Sequence, residues 1–260
     1  MTHAKYYPGA DRSQWRGNGT AMLSVDKLLL HTTESSGWPS YPDFAPTLTF
    51  NPWQPRGKRW RQHSLINESA TTLANAGTYR TNRANVCQIE IVAYCDPKRV
   101  DSSAHISRIS KDAYHELSEF FAWIEREWEV PIRNAVKWLP YPQSYGKDNP
   151  IRLSIAEFGT YKGLCGHMHA PGNSHGDPGA LQVTLITSVA QQIKEDADMP
   201  TAKEIAAELS VNKTFLDAVA TRVLTLDNII ENPYPEDSAT NTHITLETTV
   251  KRIARDTKKA

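Results

Sequence analysis

The chain has 260 residues, 39% of them apolar, with 29 basic and 29 acidic side chains. That length suffices for one full core plus an appendage, and the cancelled charge leaves no global field favouring nucleic acid or an anionic membrane. No apolar run is long enough to span a bilayer and Met1–Thr20 lacks the apolar core of a secretory signal, so the sequence reads as a protein made and left in a cytoplasm unless something else exports it.

Residues 1 to 24 are polar and glycine-containing, as in an irregular surface arm. The first strong element is Val25–His31, whose run Leu28-Leu29-Leu30 predicts a strand buried on both faces. A proline-rich passage from Trp38 to Pro46 reads as a surface loop. Thr47–Asn51 and Arg59–Leu65 both alternate around a turn at Pro52–Lys58, which predicts a hairpin. The segment Arg56–Arg61 mixes cations with Trp60, a pattern shared by nucleic-acid patches and by hairpin tips with solvated charges; the second is the commoner.

Val86–Tyr94 predicts a strand with Gln88, Glu90, Val92 and Tyr94 on one face and Ile89, Ile91 and Ala93 on the other. From Ser110, a serine cap precedes apolar residues at Leu117, Phe120, Phe121, Ile124 and Trp128, the spacing of one helical face, and Pro131 bounds the helix. A long loop follows at Pro140–Pro150, and Ala180–Lys194 predicts a closing helix. Strands interleaved with helices give an α/β domain over residues 1 to 196. Residues 197 to 260 read as a helical tail, broken at Asn232–Asp237, that serves as linker, oligomerisation element or targeting module; a homodimer through it is one expectation.

Three cysteines, Cys87, Cys95 and Cys165, agree with reduced thiols, because an odd count without a secretory signal argues against a disulfide framework. On one continuous strand, Cys87 and Cys95 would lie roughly 26 Å apart, too far to bridge.

The chemistry concentrates in Gly166–Gly179 (GHMHAPGNSHGDPG), read together with His31. Imidazoles and a carboxylate on strand ends and a rigid loop suit a zinc ion with one coordination position open to water. His31, His167 and Asp177 form one such set; His169, two residues past His167 and on the same face of a continued strand, is the alternative to His167, and Cys165 shares that parity as either a buried hydrophobe or a metal neighbour. Glu90, a carboxylate in an apolar strand, is a general-base candidate, or else satisfies a buried arginine or ligand histidine. His175 is an oxyanion-stabilising candidate or an exposed loop histidine, and His63 a groove residue or a hydrogen-bonded histidine of the sheet.

His31 at a strand end, the Gln88-Ile89-Glu90-Ile91 strand, the GH(x9)DPG loop and the landmarks Ser69-Ala70, Leu73 and Thr81-Asn82-Arg83 together resemble the zinc-dependent N-acetylmuramoyl-L-alanine amidase family with the peptidoglycan-recognition-protein fold, in the form found in endolysins of phages infecting actinobacteria. The resemblance covers about residues 20 to 195. It implies a central mixed β-sheet flanked by helices, Zn2+ on His31, His167 and Asp177, Glu90 as base, and His175 where many members carry a lysine. Asn82 and Trp38 join His63 as expected substrate contacts. The implied substrate is bacterial peptidoglycan, cut between N-acetylmuramic acid and L-alanine, with host lysis following release through a pore made by another protein, and without membrane insertion or nucleic acid. A non-catalytic peptidoglycan-recognition module and a zinc peptidase acting within the stem peptide are the alternatives.

Overall fold

The structure is a computed structural model describing residues 3–17, 19–43 and 45–199. The chain divides into two compact units, Met1–Ala197 and Asp198–Ala260. Apart from Asp198 and Met199 the second unit, with the expected helical tail, lies outside the described residues.

Five strands form one mixed sheet: β1 (Lys27–Thr32), β2 (Leu48–Phe50), β3 (Trp60–Gln62), β4 (Val86–Ile91) and β5 (Gly163–Gly166), in the order β3-β2-β4-β1-β5. β2, β4, β1 and β5 run parallel, and β3 joins β2 as the antiparallel arm of the expected hairpin. The helices are α1 (Lys111–Trp128), α2 (Ile155–Thr160) and α3 (Val183–Asp198). This is an α/β fold.

Strand parity divides the sheet into two chemically different faces. Leu28 and Leu30 of β1, Ile89 and Ile91 of β4, and Leu48 and Phe50 of β2 enter one large apolar cluster with Leu117, Phe120, Phe121 and Ile124 of α1 and Ile186 and Ala190 of α3. Each fully buried Leu, Ile or Phe among these contributes about 1.5–3 kcal/mol relative to exposure. Leu29, Val86 and Cys165 face the other way, into a smaller cluster with Leu73, Phe158 and Ala170. One face is therefore saturated with hydrocarbon while the other carries the polar residues of the same strands.

α1 starts where the Ser110 hydroxyl accepts from the Ala113 N–H at 3.1 Å and ends at Glu129, whose φ of 57° reverses the chain before Pro131. β4 stops at Ile91, short of the expected Tyr94, because its neighbour β1 ends at the paired residue Thr32 and offers no further ladder. The three cysteines are buried free thiols.

In the Arg56–Arg61 segment the tip residues Arg56, Gly57 and Lys58 are exposed, as expected of a solvated hairpin tip, while Arg59 and Trp60 are buried. Arg59, 6% exposed, bonds the buried Glu116 of α1 at 2.8 Å and Asp112 at 2.7 Å, and Arg56 pairs with Asp112 and Glu119. These cations clamp the hairpin to α1, and Trp60 stacks beside Phe120 with ring centroids 4.8 Å apart. No helix among the described residues is long and apolar enough to cross a membrane.

Candidate metal centre

The polar face of the sheet leads to the carboxyl ends of three adjacent parallel strands, the place where open α/β sheets leave a crevice. β1 delivers His31 one residue before its end, β4 places Glu90 directly across from it in register, and β5 runs straight into His167. Asp177 returns on the loop that follows. His31, His167 and Asp177 are 2%, 7% and 7% exposed, a degree of burial that a charged carboxylate and two imidazoles tolerate only when they satisfy one another or a cation.

Their ligand atoms converge. His31 Nδ1 lies 3.1 Å from His167 Nδ1, His167 Nδ1 3.1 Å from an Asp177 oxygen, and His31 Nδ1 3.5 Å from the other. Tetrahedral zinc with ligands at about 2.0–2.1 Å has ligand-to-ligand edges of about 3.3 Å, and these separations, which reach the two different oxygens of one carboxylate, bracket that value. The far nitrogens are already engaged: His31 Nε2 with Gln88 Oε1 at 3.0 Å and His167 Nε2 with Asn173 Oδ1 at 3.0 Å. Each Nδ1 lone pair is thereby left to the shared centre, and these three residues could hold a metal ion.

Burial works against charge at Asp177, but His167 and His31 beside it outweigh that and hold the carboxyl far below the usual carboxylate range. Burial likewise opposes the charged form of His167, and Asp177 overrides it and raises the imidazole. The set thus stores a net attraction for positive charge. The Thr32 N–H donates to Asp177 Oδ2 at 3.1 Å and the Met168 N–H to the Asp177 carbonyl at 3.1 Å, tying the returning loop to β1 and β5.

His169 is turned away. Residues 167–169 form a 3-10 turn rather than a continued strand, so position 169 does not share the face of position 167. Its Nδ1 accepts from the Gly166 N–H at 2.8 Å, its Nε2 donates to the Lys137 carbonyl at 2.9 Å, and burial pushes its pKa down to about 4. Gly166 is required just before this turn: a Cβ there would sit 2.7 Å from the Trp138 ring and 2.8 Å from Pro178. Cys165 points into the smaller apolar cluster, where burial raises its thiol to about 12.

Glu90 lines an open cleft of about 430 Å³ with Tyr41, Thr71, Thr72, Leu73 and Ala74. Burial, and then the nearby Asp177 charge, push its carboxyl up against the opposing pull of His31, and the Tyr41 hydroxyl donates to Glu90 Oε2 at 2.9 Å. His175 comes from the loop that leads into Asp177. It is exposed, stacks parallel on His167 at 5.0 Å, and lines a second cavity of about 210 Å³ with Glu34, Tyr141, Tyr145 and Asp177. Burial, and then the charge of His167, lower its pKa.

The three expected substrate contacts each make contacts within the protein, and Asn82 also lines an open cavity of about 220 Å³ with Ser69, Thr71 and Arg80. His63 is 2% exposed and hydrogen-bonds Thr49 Oγ1 at 2.9 Å and the Gln14 carbonyl at 3.1 Å, the sheet role rather than the groove role. Trp38 lies 4.0 Å beneath the Arg61 guanidinium. Asn82 spends its amide on the Leu73 backbone and on Gln88. A residue not anticipated from the sequence is Arg152, whose guanidinium donates to the carbonyls of Gly146, His167, Ala170 and His175 at 2.7–3.1 Å and so fastens both ends of the motif loop. Tyr41, Gln88 and Asn173 were equally unforeseen in these roles.

No family model, curated protein or solved structure matches the chain.

Proposed function

We propose that this protein is a zinc-dependent N-acetylmuramoyl-L-alanine amidase of the endolysin kind, hydrolysing the amide between the lactyl group of N-acetylmuramic acid and L-alanine in peptidoglycan. The observation that carries the reading is the convergence of His31, His167 and Asp177 at the strand ends with Glu90 beside them on the wall of an open cleft. Three protein ligands leave a coordination position free, the arrangement of a catalytic rather than a structural zinc site. An ion held there would polarise the scissile carbonyl and acidify water to a pKa of about 7.

The chain's own residues supply the remaining steps. Glu90, raised by burial and oriented by Tyr41, accepts the proton of the attacking water and passes it to the leaving amine. His175, stacked on His167, donates to the oxygen that gains charge in the tetrahedral transition state. Its neutral ring still offers one N–H, so this role does not depend on the fixed charge of a lysine. The bond chosen is tested by mass spectrometry of purified peptidoglycan digested with the full chain. New free amino-terminal L-alanine and glycan strands with unsubstituted lactyl groups are expected; new termini inside the stem peptide would make the protein a peptidase instead, and no new termini a binding module.

A further inference from the structure

Two side-chain amides present their oxygens, not their nitrogens, to the two histidines of the centre, and the reason lies in the backbone of two consecutive residues on the cleft wall. The Leu73 N–H donates to Asn82 Oδ1 at 3.0 Å while Asn82 Nδ2 donates to the Leu73 carbonyl at 2.7 Å, which settles which end of the Asn82 amide is oxygen. Gln88 Nε2 must then donate to Asn82 Oδ1, at 2.8 Å, which turns Gln88 Oε1 toward His31 Nε2, where Thr72 Oγ1 also donates to it. An amide oxygen cannot donate, so His31 Nε2 carries a proton, and Nδ1 is the nitrogen that a metal would find as a lone pair.

The next residue does the same for the second histidine. The Ala74 N–H donates to Asn173 Oδ1 at 3.0 Å, and Asn173 Nδ2 donates to the carbonyls of Pro171 at 2.9 Å and Ala74 at 3.2 Å. Asn173 Oδ1 therefore accepts from His167 Nε2, and again Nδ1 is the nitrogen turned to the shared centre. His31 and His167 lie 136 positions apart, yet adjacent peptide groups read both of them. We infer that the Leu73–Ala74 backbone, acting through Asn82 and Gln88 on one side and Asn173 on the other, is the device that fixes both imidazoles as Nε2–H tautomers with Nδ1 offered to the metal, making Gln88, Asn82 and Asn173 positioning residues.

The inference rests on the metal centre proposed above. Fixing a ligand's tautomer through its distal nitrogen is worth about 10- to 100-fold in metal affinity at other sites. Gln88→Met and Asn173→Leu, which keep side-chain bulk but remove the accepting oxygen, are expected to weaken zinc binding by about that factor in competition with a chromogenic chelator. Asn173→Asp keeps an acceptor opposite the Ala74 N–H and His167 Nε2 but loses the donations to the Pro171 and Ala74 carbonyls, so its zinc affinity is expected to fall between those of the parent and Asn173→Leu.

The unaltered chain provides a test that needs no variant. In 15N-labelled, zinc-loaded protein, imidazole NMR should show both His31 and His167 protonated at Nε2 and metallated at Nδ1. Nε2 coordination of either ring, or parental zinc affinity in both Gln88→Met and Asn173→Leu, would overturn the inference while leaving the metal centre in place. Failure of the unaltered chain to bind zinc would overturn the centre and this inference together.

Discussion

His31→Ala and Asp177→Ala are each expected to lower the rate of peptidoglycan hydrolysis by at least about 10⁴-fold, the equivalent of several kcal/mol of transition-state stabilisation at 1.36 kcal/mol per tenfold. Removing either residue leaves only two ligands of a three-ligand set, so zinc affinity and activity should fall together. The fold should survive. Neither residue belongs to the apolar clusters that hold the sheet to its helices, and the backbone of β1 pairs with β4 and β5 whatever side chain occupies position 31. Far-ultraviolet circular dichroism alongside chelator competition separates loss of metal from loss of structure. An inactive variant that retains parental zinc affinity would show that the triad acts otherwise than by holding the ion.

Glu90→Gln is expected to reduce kcat by about 10²- to 10⁴-fold, the usual contribution of a positioned general base. Glutamine preserves the shape of the side chain and its contact with Tyr41 but cannot take a proton. Zinc affinity should stay within a few-fold of the parent, because Glu90 stands beside the triad and is not one of its members. This split between rate and metal affinity distinguishes Glu90 from the ligands. A glutamine variant with the parental kcat would reduce Glu90 to a satisfied carboxylate at the end of β4.

The elements that were legible in the sequence are those whose signal is local. β1 announced itself as an apolar run because a strand buried on both faces must be apolar, and α1 by a serine cap and an apolar stripe that meets the sheet. His167 and Asp177 were legible because metal-ligating residue types crowd a rigid glycine- and proline-rich loop, while His31, at the end of an apolar run far earlier in the chain, joined them through the family resemblance. The choice between His167 and His169 was less accessible. Strand parity treats them alike, and only the 3-10 turn after Gly166 separates them.

Residues that act through long-range partners were harder to foresee. Arg59 appeared as one cation in a basic hairpin because its partner Glu116 lies 57 positions away on another element. Arg152 sits in a loop without periodicity and gives nothing but hydrogen bonds to carbonyls, which any sequence supplies. Gln88 stood on the same strand face as Glu90, and Asn173 within the motif itself, so both carried a positional signal. Their function follows from the direction of an amide dipole set by the Leu73–Ala74 backbone, which no residue pattern encodes.

A catalytic zinc ion held by His31, His167 and Asp177 can be located crystallographically. Anomalous diffraction from crystals of the zinc-loaded protein, recorded on both sides of the zinc absorption edge, tests this most directly. One strong difference peak is expected about 2.0–2.1 Å from His31 Nδ1, His167 Nδ1 and an Asp177 oxygen, with a fourth position open toward Glu90. A zinc-loaded crystal with its anomalous peak elsewhere, and these three side chains closed on one another, would contradict it.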